Sequence, residues 1–193
     1  LHEPTHVAVD SSGRVAVSDA RNHRVLIFNQ PFAPGGDLVA DAVLGQSDFI
    51  GSVANRDAGV NAGGLSFPGA LDFMPNGALV VSDSANRRVL WFDPPFTTGE
   101  AASAVFGQPS STTVDQIGCT APNPATLCSV PGLVGRLFPD GGSSLFVADF
   151  AFGNQRRLLR FDGPLPADRV ADDVRLLNVE GGFAHEQGSF LQE

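Results

Sequence analysis

The chain has 193 residues, 42% of them hydrophobic, and a formal net charge of −9. That is enough apolar material for one or two cores, and the negative balance repels a phosphate backbone, which speaks against a nucleic-acid partner. All twelve basic residues are arginine, which excludes Schiff-base and lysine-base chemistry, and no apolar run reaches the roughly 18 residues of a membrane-inserting helix.

Leu1-His2-Glu3-Pro4 leads into a short predicted strand, Thr5 to Asp10. No signal peptide precedes it, as expected of a chain whose leader was removed or of an excerpt from a longer one. Asp10-Ser11-Ser12-Gly13 reads as a turn, because Asp and Ser bond to nearby backbone and Gly accepts positive φ. Arg14 to Asp19 and His23 to Phe28 are the second and third strands. Val15-Ala16-Val17 and Val25-Leu26-Ile27-Phe28 are apolar at consecutive positions, the pattern of strands covered on both faces. Ala42-Val43-Leu44-Gly45 is a shorter fourth strand, expected at an edge, and a Gly- and Asn-rich loop runs from Gln46 to about Gly64.

A second unit begins at Leu65. From Pro68 to Phe96 it matches Pro4 to Phe32 without a gap, with twelve identities in 29 positions. Met74-Pro75-Asn76-Gly77 supplies its first turn, and Ala104-Val105-Phe106-Gly107-Gln108 repeats Ala42-Val43-Leu44-Gly45-Gln46. A third unit begins at Cys128, with longer turns at Pro139–Gly142 and between Asp149 and Arg157, and Val174–Leu177 fits its fourth strand. The chain thus divides into three tandem four-stranded units, 1–64, 65–127 and 128–193, the last including the start of a linker to a further unit. A period of this size with four two-sided strands per unit predicts an all-β propeller whose antiparallel blades form an open arc.

Each unit also repeats a polar set: Asp19, Asn22 and Arg24; Asp83, Asn86 and Arg88; Asp149, Asn154 and Arg157. A catalytic group is needed once, a turn in every unit, so the set is expected to be structural. Asp and Asn would cap turn N–H groups and Arg would bridge to Asp. His2-Glu3-Pro4-Thr5-His6 matches the zinc-protease spacing H-E-x-x-H, but that chemistry needs a helix, and Pro4 inside it would cost about 3 kcal/mol.

These residues resemble the NHL repeat: a Pro, a short strand, a turn ending in Gly, an apolar strand ending in Asp, then Asn22-His23-Arg24 and an apolar strand ending in Phe28. The Val43-Leu44-Gly45-Gln46 signature is similar to that of long-period repeats in secreted bacterial proteins. The resemblance implies a β-propeller, usually of six blades, of which this chain would form about half. Further blades in cis, or a second copy, would close the ring. The bare outer faces are expected to include Val7, Val15, Val17 and Ile27 on the first blade and Leu145, Val147 and Leu159 on the last, depending on which side each strand presents.

Two function classes follow from the resemblance, and the fold does not choose between them. The favoured one is a non-catalytic exported binding or scaffold module, extracellular, at the cell surface or periplasmic. It needs no cofactor and would contact a protein or polysaccharide through loops 46–64 and 108–127. The other is a lyase or lactonase of the propeller type, holding calcium or zinc in the channel. Its inner-strand candidates are His6, Asp10, Asp72 and Arg136, which are not at equivalent positions and have no accompanying nucleophile. Cys119 and Cys128, nine residues apart, are either a disulfide of an exported protein or two free thiols, the disulfide being favoured.

Overall fold

A computed structural model describes residues 1–112, 126–128, 132–137, 143–150, 156–162 and 171–177. Among the described residues twelve strands form three antiparallel sheets of four, each a meander in chain order. The first holds β1 (Pro4–Val9), β2 (Val15–Asp19), β3 (Arg24–Phe28) and β4 (Ala42–Leu44). The second holds β5 (Pro68–Phe73), β6 (Leu79–Asp83), β7 (Arg88–Phe92) and β8 (Ala104–Phe106). The third holds β9 (Gly132–Leu137), β10 (Ser143–Phe150), β11 (Arg156–Asp162) and β12 (Asp173–Leu177).

Local chemistry sets the turns. Asp10 accepts hydrogen bonds from the Ser12 and Arg14 N–H groups, each at 2.9 Å, and Gly13 takes φ 84°. In the second sheet Asn76 accepts from the Ala78 N–H at 3.1 Å, and Gly77 has the same φ. A single 3-10 turn, Ala20–Asn22 or Ser84–Asn86, joins the second and third strands of the first two sheets. The next residue, His23 or Arg87, is left-handed. The longer turns expected in the third unit lie outside the described residues.

The sheets pack face to face and bury two cores. Between the first and second, Ala8, Ala16, Ile27 and Leu44 meet Leu71, Leu79, Val81 and Phe92. Between the second and third, Val80, Trp91 and Phe106 meet Leu145, Val147, Leu159 and Phe161, with the Phe106 and Phe161 rings edge to face at 5.3 Å. Consecutive apolar residues in β6 and β7 follow directly: each parity faces a different core. Stacking sheets also cross-link. Ser18 donates to the Gly69 carbonyl at 2.6 Å, and the Arg14 guanidinium lies over Phe96 at 4.7 Å and Phe73 at 5.3 Å.

The faces correct one expectation. The strand face carrying Asp83 or Asp149 looks toward the preceding sheet, so Leu145, Val147 and Leu159 are buried against the second sheet, and Ile27 lies in the first core. Val15 is buried as well; of the residues expected on bare faces, Val7 is exposed and Val17 half-buried. β4 is a sheet edge as expected, yet fully buried, because the next unit closes over it. There the Gly99 N–H donates to the Val43 carbonyl at 2.9 Å, satisfying an edge that would otherwise stay open.

Phe92 and Phe28 occupy equivalent positions, but Phe92 is covered by the first sheet while Phe28 is half-buried on the outward face. Phe92→Ala should therefore cost about 3–5 kcal/mol and Phe28→Ala well under half as much. Paired urea melts of the two variants check this; equal losses would contradict the face assignment.

Candidate functional site

The repeated Asp–Arg pair is assembled at the end of each sheet, where the linkers run. Asp83 lies at the end of β6 and Arg88 opens β7 directly opposite it. Arg88 Nε donates to Asp83 Oδ2 at 2.6 Å, Asn86 Nδ2 donates to the same oxygen at 2.8 Å, and both charged side chains are fully buried. Arg157 and Asp149 form the same buried pair, with Nε to Oδ2 at 2.7 Å. Arg24 and Asp19 form it at 2.8 Å with Asn22 donating at 2.8 Å, in a slightly more open setting. Asn154 lies outside the described residues.

The other carboxylate oxygen does something local sequence does not reveal. Asp19, Asp83 and Asp149 Oδ1 accept the N–H of His2, Ser66 and Cys128 at 2.5, 2.7 and 2.9 Å. Each of these N–H groups belongs to the linker just before its own sheet's first strand. Asp19 and Asp83 make no side-chain cap to their 3-10 turns. The expected turn-capping role is thus replaced by a linker clamp. The guanidinium completes it: Arg24 Nη1 donates to the Phe49 carbonyl at 2.5 Å, and Arg88 donates to Ser111, Asn61 and Gly64 carbonyls at 2.6, 2.8 and 3.0 Å.

Burial pushes the Asp83 carboxyl up, against Arg88, Asn86 and the Ser66 N–H. At Asp19 burial acts the same way but is outweighed by Asn22, the His2 N–H and Arg24, and that carboxyl sits below the usual range. Burial lowers the pKa of His23, opposed by nearby Asp83. Its Nδ1 accepts the Phe67 N–H at 3.0 Å, which only an unprotonated ring nitrogen can do.

Gln46 and Gln108 recur in the repeat signature, but their role is visible only in three dimensions. Gln46 Nε2 lies within hydrogen-bond distance of three carbonyls: His23 at 3.0 Å, Val53 at 2.9 Å and Asn22 at 3.3 Å. It thereby staples the following loop to the turn. Gln108 Nε2 donates to Arg87 at 3.1 Å in the second unit. The preceding Gly45 and Gly107 have φ 87° and 80°, and a Cβ there would meet Leu65 at 2.5 Å or Leu127 at 2.3 Å. Asp48 accepts the Ile50 and Gly51 N–H groups at 2.9 and 2.7 Å, shaping the tip.

This fixed loop leaves large apolar side chains in water. Ile50 is 90% exposed, Val53 54%, Phe49 44% and Phe67 41%. The Phe49 carbonyl accepts from Arg24, the Phe67 N–H donates to His23, and the Val53 carbonyl is held by Gln46, which also reaches His23, so these backbones are anchored at one end of the first sheet.

His6 is exposed on β1. Asp10 is held by Arg14, its carboxyl pushed up by burial but kept below the usual range by Ser12 and Arg14. Asp72 accepts its neighbour Phe73 N–H at 2.9 Å, and Arg136 lies on β9 in register with Ser144. Among the described residues no three His, Cys, Asp or Glu side chains converge. His2 to His6 runs into strand β1, not a helix. Cys128 is disulfide-bonded; the chain's other cysteine, Cys119, lies outside the described residues. Among the described residues no helix is long and apolar enough to cross a membrane.

Asp83→Ala leaves Arg88 buried without its counter-charge, and should destabilise by about 3–5 kcal/mol. Asp19→Ala, whose Arg24 reaches solvent, should lose only about 1–2 kcal/mol. Chemical denaturation of both variants gives the comparison. His23 supplies a pH signature. Its folded pKa lies below the unfolded 6.5, so the unfolded chain binds the proton more readily, and stability is full above that value and falls as pH drops through it. His23→Asn keeps an acceptor and tolerates the left-handed backbone. Melting temperatures of the variant should decline less between pH 7 and the acid side than those of the parent.

A family model described as NHL repeat matches residues 1–28. The match covers β1, β2, the Ala20–Asn22 turn and β3, and so contains the first complete Asp–Asn–Arg set. No match is found among curated proteins. Residues 1–28 are therefore similar to an NHL repeat, and the three antiparallel four-stranded sheets are blades of a partial β-propeller.

Proposed function

We propose that the chain is a non-catalytic, exported protein-interaction module that engages its partner through the loop 46–64 end of the first blade. The observation that carries this reading is the exposure of Phe49, Ile50 and Val53 on a loop whose backbone is held by Gln46 and Arg24, with exposed Phe67 following it, its N–H held by His23. Loops on a rigid scaffold are where recognition sits. A prepaid loop conformation lowers the ordering cost of binding, and exposed aromatic and aliphatic anchors are the groups that carry interface energy. The chemistry suits an apolar protein surface better than a polysaccharide, because this cluster has few hydrogen-bonding side chains to offer. Export is supported by the disulfide at Cys128.

Phe49→Ala combined with Ile50→Asp tests the reading. Neither side chain is buried in a core, so the melting temperature should hold. Proteins cross-linked to the parent chain by a photoreactive group at Ser47 should be lost by at least tenfold from the variant. An unchanged cross-linking profile would defeat the proposal. Stoichiometric calcium or zinc retained after dialysis, with a melting temperature lowered by chelator, would favour the enzyme class instead.

A further inference from the structure

His23 stands where the first sheet's turn meets the linker into the second sheet. It closes the Ala20–Asn22 turn in the left-handed conformation, φ 51°. Its backbone is fixed on both sides: its N–H donates to the Ala20 carbonyl at 3.0 Å, and its carbonyl accepts Gln46 Nε2 at 3.0 Å. The imidazole is the part left able to respond, and it is half-buried, within reach of solvent protons. Its Nδ1 accepts the Phe67 N–H at 3.0 Å, from 44 residues later in the chain. Phe67 has φ 54°, a region that a bulky aromatic residue occupies only where its surroundings hold it there. The preceding Ser66 is bound on both sides, its N–H donating to Asp83 Oδ1 at 2.7 Å and its carbonyl accepting the Ala85 N–H at 3.1 Å. The Phe67 N–H goes to the imidazole.

An imidazole accepts through Nδ1 only while that nitrogen carries no proton; in the cation both nitrogens are donors. Protonating His23 therefore sets N–H against N–H and removes the bond that keeps Phe67 left-handed. The charges nearby are matched. On its own turn Arg21 pairs with Glu3 at 2.7 Å and Arg24 with Asp19 at 2.8 Å. On the loop, Arg56 donates to the Gly99 carbonyl, Asp48 accepts the Ile50 and Gly51 N–H groups, and Asp57 is exposed. Leu65-Ser66-Phe67 carries no charge. From the second sheet Asp83, paired with Arg88 at 2.6 Å, acts on the ring. Burial disfavours the cation and outweighs Asp83, which favours it. A ring released from the junction thus takes a proton more readily than the ring in place, so acid favours release. In the second unit the equivalent residue is Arg87, left-handed at φ 55°, and a guanidinium has no acceptor to lose. The acid-sensitive contact belongs to the first turn, whose next residue, Arg24, holds the Phe49 carbonyl.

We propose that His23 is an acid-responsive catch on the partner surface: when protonated it lets go of Phe67, and the contact made by the loop 46–64 end of the first blade weakens. The catch rests on the reading of that end as a partner surface, since Phe67 is one of its exposed side chains. It needs no large motion. The bond lost lies at a residue whose backbone relaxes out of the left-handed region once the N–H is free, and the Ser66 clamp beside it, made by a carboxylate, does not depend on the imidazole.

Amide exchange of the 193-residue chain, corrected for intrinsic rates, reads the catch without a partner. Protection of the Phe67 N–H should fall as pH drops below 6.5, by at most about tenfold per pH unit, the slope of one bound proton, while the β7 amides stay protected. His23→Asn keeps an acceptor and should hold Phe67 protection level across that range. His23→Arg, the residue that the second turn carries in the same backbone conformation, should leave Phe67 unprotected already at neutral pH. Cross-linking from a photoreactive group at Ser47 then reads the surface at about pH 7.5 and about pH 5.5, on either side of the ordinary histidine range. Its yield should drop on the acid side in the parent and stay constant in His23→Asn. If a variant loses the parent's circular dichroism spectrum, the parent's own exchange and cross-linking profiles decide. Phe67 protection indifferent to pH, or lost only in step with β7, would overturn the catch, and so would equal cross-linking at both pH values. Cross-links absent at neutral pH would overturn the surface reading and the catch with it; the Phe67 amide, measured without a partner, tells that failure from a failure of His23.

Discussion

A carboxylate with no water around it holds each blade to its linker. Asp83 is fully buried, and its two oxygens accept from three donors, Arg88, Asn86 and the Ser66 N–H, with Arg88 in turn reaching three carbonyls on the flanking linkers. Such a pair gains little over a hydrophobic replacement, because desolvation consumes most of its attraction. What it supplies is position. A buried Asp that must find its Arg and a particular backbone N–H admits one register of β6 against β7 and one path for the chain into β5. The sheets would stack without it; they would not be obliged to stack in this alignment.

That alignment gives the stack a direction. In the second and third sheets the Asp-bearing face looks back toward the preceding sheet and the other face looks forward. The backward faces are built from larger side chains such as Leu71, Phe73, Leu79 and Phe92, and the forward face of the first sheet from Ala8, Ala16 and Ala42 around Ile27. Large against small is how two twisted sheets interdigitate at about 10 Å. The middle sheet meets a neighbour on each side, so its third strand, Arg88–Phe92, has every residue buried, whereas the first strand of the first sheet is exposed at all but Ala8.

The architecture was legible because its signals are local and come three times. Strands end at Asp, turns carry Asn or Gly, and consecutive apolar residues demand two covers; each can be read in a window of ten residues. The parts that escaped reading are non-local. Which face of Val15-Ala16-Val17 meets which neighbour is invisible when both parities are apolar, so Ile27, Leu145, Val147 and Leu159 were expected on bare faces. The partner of Asp19 Oδ1 is the N–H of His2, seventeen residues earlier, and no spacing rule points there. Gln46 was visible as a repeated letter, but its amide gathers carbonyls from two separate segments. Arg14 looked like an ordinary strand residue; its place over Phe73 and Phe96 depends on the packing of two blades.

Repetition and variation therefore separate scaffold from function. The groups that recur in each unit, Asp and Arg with their clamped N–H, are engaged by the chain itself. Gln46 and Gln108 are equivalent, and both staple the chain to the preceding turn, but after Gln46 the loop turns through Asp48 and carries Phe49 and Ile50 outward. A flexible loop with those side chains would fold them onto the nearest apolar surface. Three amide contacts from one glutamine and a guanidinium on the Phe49 carbonyl hold the backbone away from that option. The apolar side chains stay in water because the polar clamp beneath them leaves the loop no other path, and it is on that enforced exposure that the proposed partner contact rests.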